Sequence, residues 1–128
     1  MKPSTREWVA KAEEDFLAAA ALNRRRKKPH LWNVVAFHAQ QSVEKYLKAR
    51  IEEAGCIIPR THDLVFVLGL VVPIEPLWSS WQNSFALLAS YAVQSRYPGN
   101  SVRKEEAREA LKICGSFRKE ARSSLGLR

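Results

Sequence analysis

The residues best able to move a proton near neutral pH are the three histidines, His30, His38 and His62. His38 is followed by Gln41, Lys45 and Lys48, and on a helix that spacing gathers all four on one side. Such a row has the donors and positive charge to line a groove for a nucleotide or phosphate; it is equally the pattern of a solvated helix face with one partly packed histidine. Farther on, Arg96 and Tyr97 stand directly before Pro98, where helical geometry ends. A cation at that place can bind a phosphate, and the helix dipole alone also favours it. Arg24-Arg25-Arg26-Lys27-Lys28-Pro29 forms an exposed cationic loop, suited either to RNA phosphates or to solubility.

Other chemistries lack their residues. No His, Asp, Glu and Cys set has metal-ligand spacing on one helix face. The five glycines are scattered and build neither a P-loop nor a dinucleotide fingerprint, so any nucleotide must be held by side chains, and no cofactor is expected. Cys56 and Cys114 are too few for a disulfide framework; Cys114 falls on an apolar helix stripe as a small core residue, and a reducing cytoplasm is the expected setting.

These residues need a scaffold, and the chain predicts one all-α domain. Its 128 residues, 46% hydrophobic, suffice for one continuous core but not comfortably for two. The net charge of +8 favours phosphate-bearing or acidic partners. The polar start, Met1 to Trp8, has no leader-like apolar region. The most apolar stretch, Leu64 to Ile74, is about half a membrane span, so no membrane association is expected.

Trp8, Ala12, Asp15, Ala19 and Leu22 recur at helical spacing, predicting a first helix from about Thr5 to Asn23, with Ser4 and Glu7 spaced as a capping box. Asp15 must either find a polar partner across the core or lie at the stripe's edge. A second helix, Trp32 to Ala54, buries Trp32, Ala36, Ala39, Val43, Tyr46 and Leu47, and Gly55 stops it. Thr61 is expected to cap a short helix to about Leu70, with Asp63 in its first turn and His62 either on the surface or bonded to the loop. Trp78, Trp81, Phe85, Leu88, Ala89 and Ala92 share the stripe of a fourth helix, with Trp81 in the core. A fifth starts near Ser101 to Arg103 and buries Ala107, Ala110, Leu111, Cys114, Phe117 and Ala121.

Phe37-His38-Ala39-Gln40-Gln41-Ser42-Val43-Glu44-Lys45, preceded by Trp8, Ala12 and Asp15, resembles the opening two helices of HEPN-domain proteins. Thr61-His62-Asp63-Leu64, Tyr91-Ala92-Val93, Arg96-Tyr97-Pro98 and Glu106-Ala107 with Ala110-Leu111 continue the likeness in order across nearly the whole chain. The resemblance implies an up-and-down bundle of four main helices plus a short one, a homodimer, and a minimal nucleotidyltransferase partner, often as a toxin-antitoxin-like pair. Some such proteins are metal-independent ribonucleases using an Arg and a His separated by four to six residues, supplied from both subunits.

This chain departs from that catalytic pattern, because the positions after Arg96 that should hold the histidine are Ser101, Val102 and Arg103. Arg96 then has a phosphate-binding charge but no local general base. The leading expectation is a non-catalytic module that dimerises and works with a nucleotidyltransferase, its ligand held around His38, Gln41, Lys45, Lys48, Arg96 and Tyr97. The alternatives are a ribonuclease in which His38 supplies the missing histidine, and an RNA-binding accessory protein using the Arg24 to Lys28 loop.

Overall fold

A computed structural model describes Met1–Arg128, and every regular element in it is helical. The order is α1 (Pro3–Asn23), α2 (Trp32–Glu53), α3 (Leu64–Val71), α4 (Gln82–Gln94) and α5 (Lys104–Ser124), with a 3-10 turn at Pro76–Trp81 leading into α4. Four main helices plus the short α3 make the expected bundle.

α2 is the central helix, in contact with α1, α3, α4 and α5, and its sequence shows why. Val35, Ala36, Ala39, Val43, Tyr46, Leu47 and Ile51 are all buried, an apolar band wide enough to serve several neighbours. Small residues on the facing side of α1, Ala12 and Ala19, let the two backbones come close. The hairpin is clasped at its open end: Glu53 Oε1 accepts from Lys2 N at 3.0 Å and Thr5 Oγ1 at 2.9 Å. α2 stops where Gly55 adopts φ 76°, letting Gly55 N–H reach Glu52 O and Cys56 N–H reach Ile51 O, the paired bonds of a Schellman ending.

An aromatic cluster closes the other side of the core. Phe85 and Phe117 are fully buried and meet edge to face with ring centres 5.0 Å apart, and Trp78 adds a second edge contact to Phe117 at 4.9 Å. Beside it Glu13 receives two bonds from Arg118, at 2.7 and 2.6 Å, tying α1 to α5. The Arg118 bonds hold the Glu13 carboxyl below the ordinary carboxylate range. Burial, reinforced by the bond to Glu13, pushes the Tyr46 phenol up to about 12.

Several boundaries differ from expectation, each for a local reason. Pro3 occupies the first turn of α1 and no side chain caps it; Ser4 instead donates to Glu52 at 2.7 Å, so the Ser4–Glu7 capping box does not form. Asp63, not Thr61, caps α3, accepting from Val65 N–H and Phe66 N–H, while Thr61 Oγ1 accepts from Asp63 N–H. The Pro76–Trp81 turn winds more tightly than an α-helix, so Trp78 takes the buried place and Trp81 is half-buried, its indole N–H bonded to Glu120 at 2.9 Å. Cys114 is buried, as its stripe predicts, and its thiol is pushed up to about 12 by burial; Cys56 is exposed.

Candidate functional site

Two polar clusters interrupt the apolar seams around α2, and each is organised by a buried carboxylate. Asp15 is 8% exposed on the inner stripe of α1 and resolves its desolvation by reaching across to α2. Its Oδ1 lies 2.7 Å from His38 Nδ1 and its Oδ2 2.6 Å from Lys45 Nζ. An ionised carboxylate only accepts, so His38 Nδ1 carries the shared proton. The His38 ring also meets Phe37 edge to face.

The second cluster is built on Glu44, which points from α2 toward the loop before α3. Glu44 is 2% exposed and is held by Lys48, one turn along the same helix, at 2.9 Å. Its Oε2 also lies 3.0 Å from Nδ1 of His62. Lys48 in turn stands over the Trp8 ring at 5.8 Å. His62 is therefore fixed through one nitrogen by a buried carboxylate, which leaves Nε2 free to take or give a proton.

His62 opens on a cavity of about 470 Å³ between α2, the loop before α3 and the end of α4. Its polar walls come from Gln40, Thr61, His62, Asp63 and Arg96, and its floor from Ala89, Ala92 and Val93. Gln40 is 2% exposed; its Nε2 donates to the His62 carbonyl at 3.3 Å and its Oε1 is buried without a partner. Arg96 follows the last turn of α4 and makes no ion pair, so its charge is uncommitted. A guanidinium and an imidazole fixed at one nitrogen can together bind an oxyanion.

The expected site residues are thus divided. His38 and Lys45 meet at Asp15 in the α1–α2 seam. Gln41 is half-buried on α2 and does not line the Arg96 cavity; the neighbouring Gln40 does. Lys48 is buried behind the cavity wall, reaching it only through Glu44. Arg96 lines the cavity, whereas Tyr97 is 60% exposed outside it. The Arg96 neighbourhood does contain a histidine, contrary to expectation: His62, distant in sequence and brought there by the α2–α3 loop.

No His, Cys, Asp and Glu group of three or more is arranged to hold a metal ion. No helix is long and apolar enough to cross a membrane. No curated protein and no solved structure matches the chain. The family model described as HEPN domain matches residues 5–124, which takes in both clusters and all five helices, and the chain belongs to the HEPN family.

Proposed function

We propose that this chain is a non-catalytic HEPN module that dimerises, works beside a nucleotidyltransferase-type partner, and holds a phosphate-bearing ligand such as a nucleotide at Arg96. The observation that carries the ligand reading is the uncommitted Arg96 sharing one cavity with a carboxylate-fixed His62. Membership of the family supports the dimer and the partner. Binding needs only the charge and donors in place. Acid–base cleavage of a phosphodiester needs one group to take a proton and another to give one, and the cavity holds a single histidine.

Titration calorimetry with a panel of nucleoside triphosphates tests this reading. Arg96→Ala is expected to weaken binding roughly tenfold or more, the usual effect of losing a charge-assisted bond, with helical circular dichroism unchanged. Equal affinity of wild type and variant removes Arg96 from the site.

A second reading, a metal-independent ribonuclease, gains from the placement of His62 beside Arg96, with His62 rather than His38 as the base. Incubation with a structured RNA in EDTA decides it. Cleavage lost in both His62→Ala and Arg96→Ala makes the chain an enzyme; an intact RNA leaves the binding module.

A further inference from the structure

A larger concavity lies at another place in the bundle, where the loop after α1 meets the beginning of α5. Its volume is about 650 Å³, and Arg24, Arg25, Arg26, Lys104 and Arg108 line it. None of these five cations is in an ion pair, and no carboxylate lines the cavity. Sequence alone shows a basic loop; the fold adds two cations from α5, distant in the chain, and makes the surface concave. Like charges facing one hollow repel each other when it is empty, so the arrangement favours an anionic occupant. Four of the five are arginines, whose planar forks match phosphate oxygens.

The remaining lining residues carry a different chemistry. His30 and Trp32 stack with ring centres 5.0 Å apart and planes 13° from parallel. This stack also borders a second cavity of about 240 Å³ that is more apolar, walled by Leu31, Val34 and Val102. A bare polyanion would use the arginines and leave the flat rings idle. A nucleobase uses them, stacking on the ring faces.

We propose that this end of the bundle is a binding site for single-stranded nucleic acid, with consecutive phosphates on Arg24, Arg25, Arg26, Lys104 and Arg108 and a base against the His30–Trp32 stack. It is separate from the Arg96 cavity and shares no residue with it.

Fluorescence anisotropy of the full chain with a labelled 12-nucleotide single-stranded RNA tests the proposal, with inorganic polyphosphate and duplex RNA as competitors. The affinity should fall with salt at a slope of roughly −0.7 per phosphate contacted. The double variant Lys104→Gln/Arg108→Gln should weaken binding about tenfold or more and flatten that slope, because α5 completes the cavity. Trp32→Leu, which keeps apolar bulk, should weaken binding about tenfold without changing the slope. Arg96→Ala should bind RNA as wild type does. The proposal is overturned if the α5 double variant binds normally, which would leave only a basic loop, or if polyphosphate competes as well as single-stranded RNA at equal phosphate and Trp32→Leu has no effect. Absence of binding at low salt overturns it outright.

Discussion

Asp15 and Glu44 each gather one histidine and one lysine, Asp15 from the neighbouring helix and Glu44 from its own helix and the next loop. The residue types are nearly identical, yet the settings are opposite. At Asp15 the His38 and Lys45 side chains are each about a quarter exposed, 28% and 26%, and both ends of the carboxylate serve the α1–α2 seam. At Glu44 the lysine is sealed at 6% while His62 is 67% exposed and fronts the Arg96 cavity. One carboxylate spends its charge joining two helices; the other hides a lysine and presents a histidine. What separates a structural polar cluster from a candidate site is therefore the exposure of the histidine and the cavity it fronts, not the residues in the cluster.

The largest test of that contrast is Glu44→Ala. It strands Lys48, which is 5% exposed, without a counter-charge, and should cost about 3 kcal/mol or more in urea unfolding. A loss under about 1 kcal/mol would show that Lys48 swings to water and that Glu44 is not what holds it. Asp15→Ala should cost less, about 2 kcal/mol, because Lys45 and His38 already reach solvent, and it should leave ligand binding at Arg96 unchanged. Reduced ligand affinity in that variant would break the division into seam and site.

Acid should act through a third network, that of Glu13. Its folded pKa lies below the ordinary value of 4.5, chiefly through the Arg118 hydrogen bonds, so the unfolded chain takes up the proton first as pH falls. The stabilisation is complete above the ordinary carboxylate value and is lost as pH drops through the depressed folded one. Arg118→Gln should flatten that part of the stability–pH curve; a curve identical to wild type would mean that other carboxylates govern acid unfolding. Smallest of all, His62→Ala should change stability by no more than about 0.5 kcal/mol while weakening the Arg96 ligand, the reverse of the Asp15 result.

The helices were legible because apolar periodicity is a local signal with a long run, and Trp8, Val43, Phe85 and Phe117 all fall on their expected stripes. Asp15 also showed itself, as a charge on an apolar stripe that had to find partners. The caps were less legible. Thr61 and Asp63 are both good capping types, and only the path of the loop decides between them. The Pro76–Trp81 turn shifts the phase of the tryptophans, which a helical wheel drawn through Trp78 and Trp81 cannot register. The expected site residues are divided in the structure for a similar reason. Gln40 and Gln41 differ by one step on α2, about 100° of rotation, and which one meets the cavity depends on where α3 and α4 dock. His62 and Arg96 are joined only by the fold. The one local signal was Glu44, an acidic residue between the apolar Val43 and the Tyr46–Leu47 pair of the central helix and four before Lys48.

The two thiols differ in a way that bears on assembly. Cys114 is buried and held protonated to about pH 12, whereas Cys56 stands exposed just past the Gly55 turn. A maleimide probe at neutral pH should therefore attach at one defined place on each chain, without any engineered cysteine. Energy transfer or spin–spin coupling between chains labelled there would then report the spacing of two copies directly, making the natural sequence its own molecular ruler.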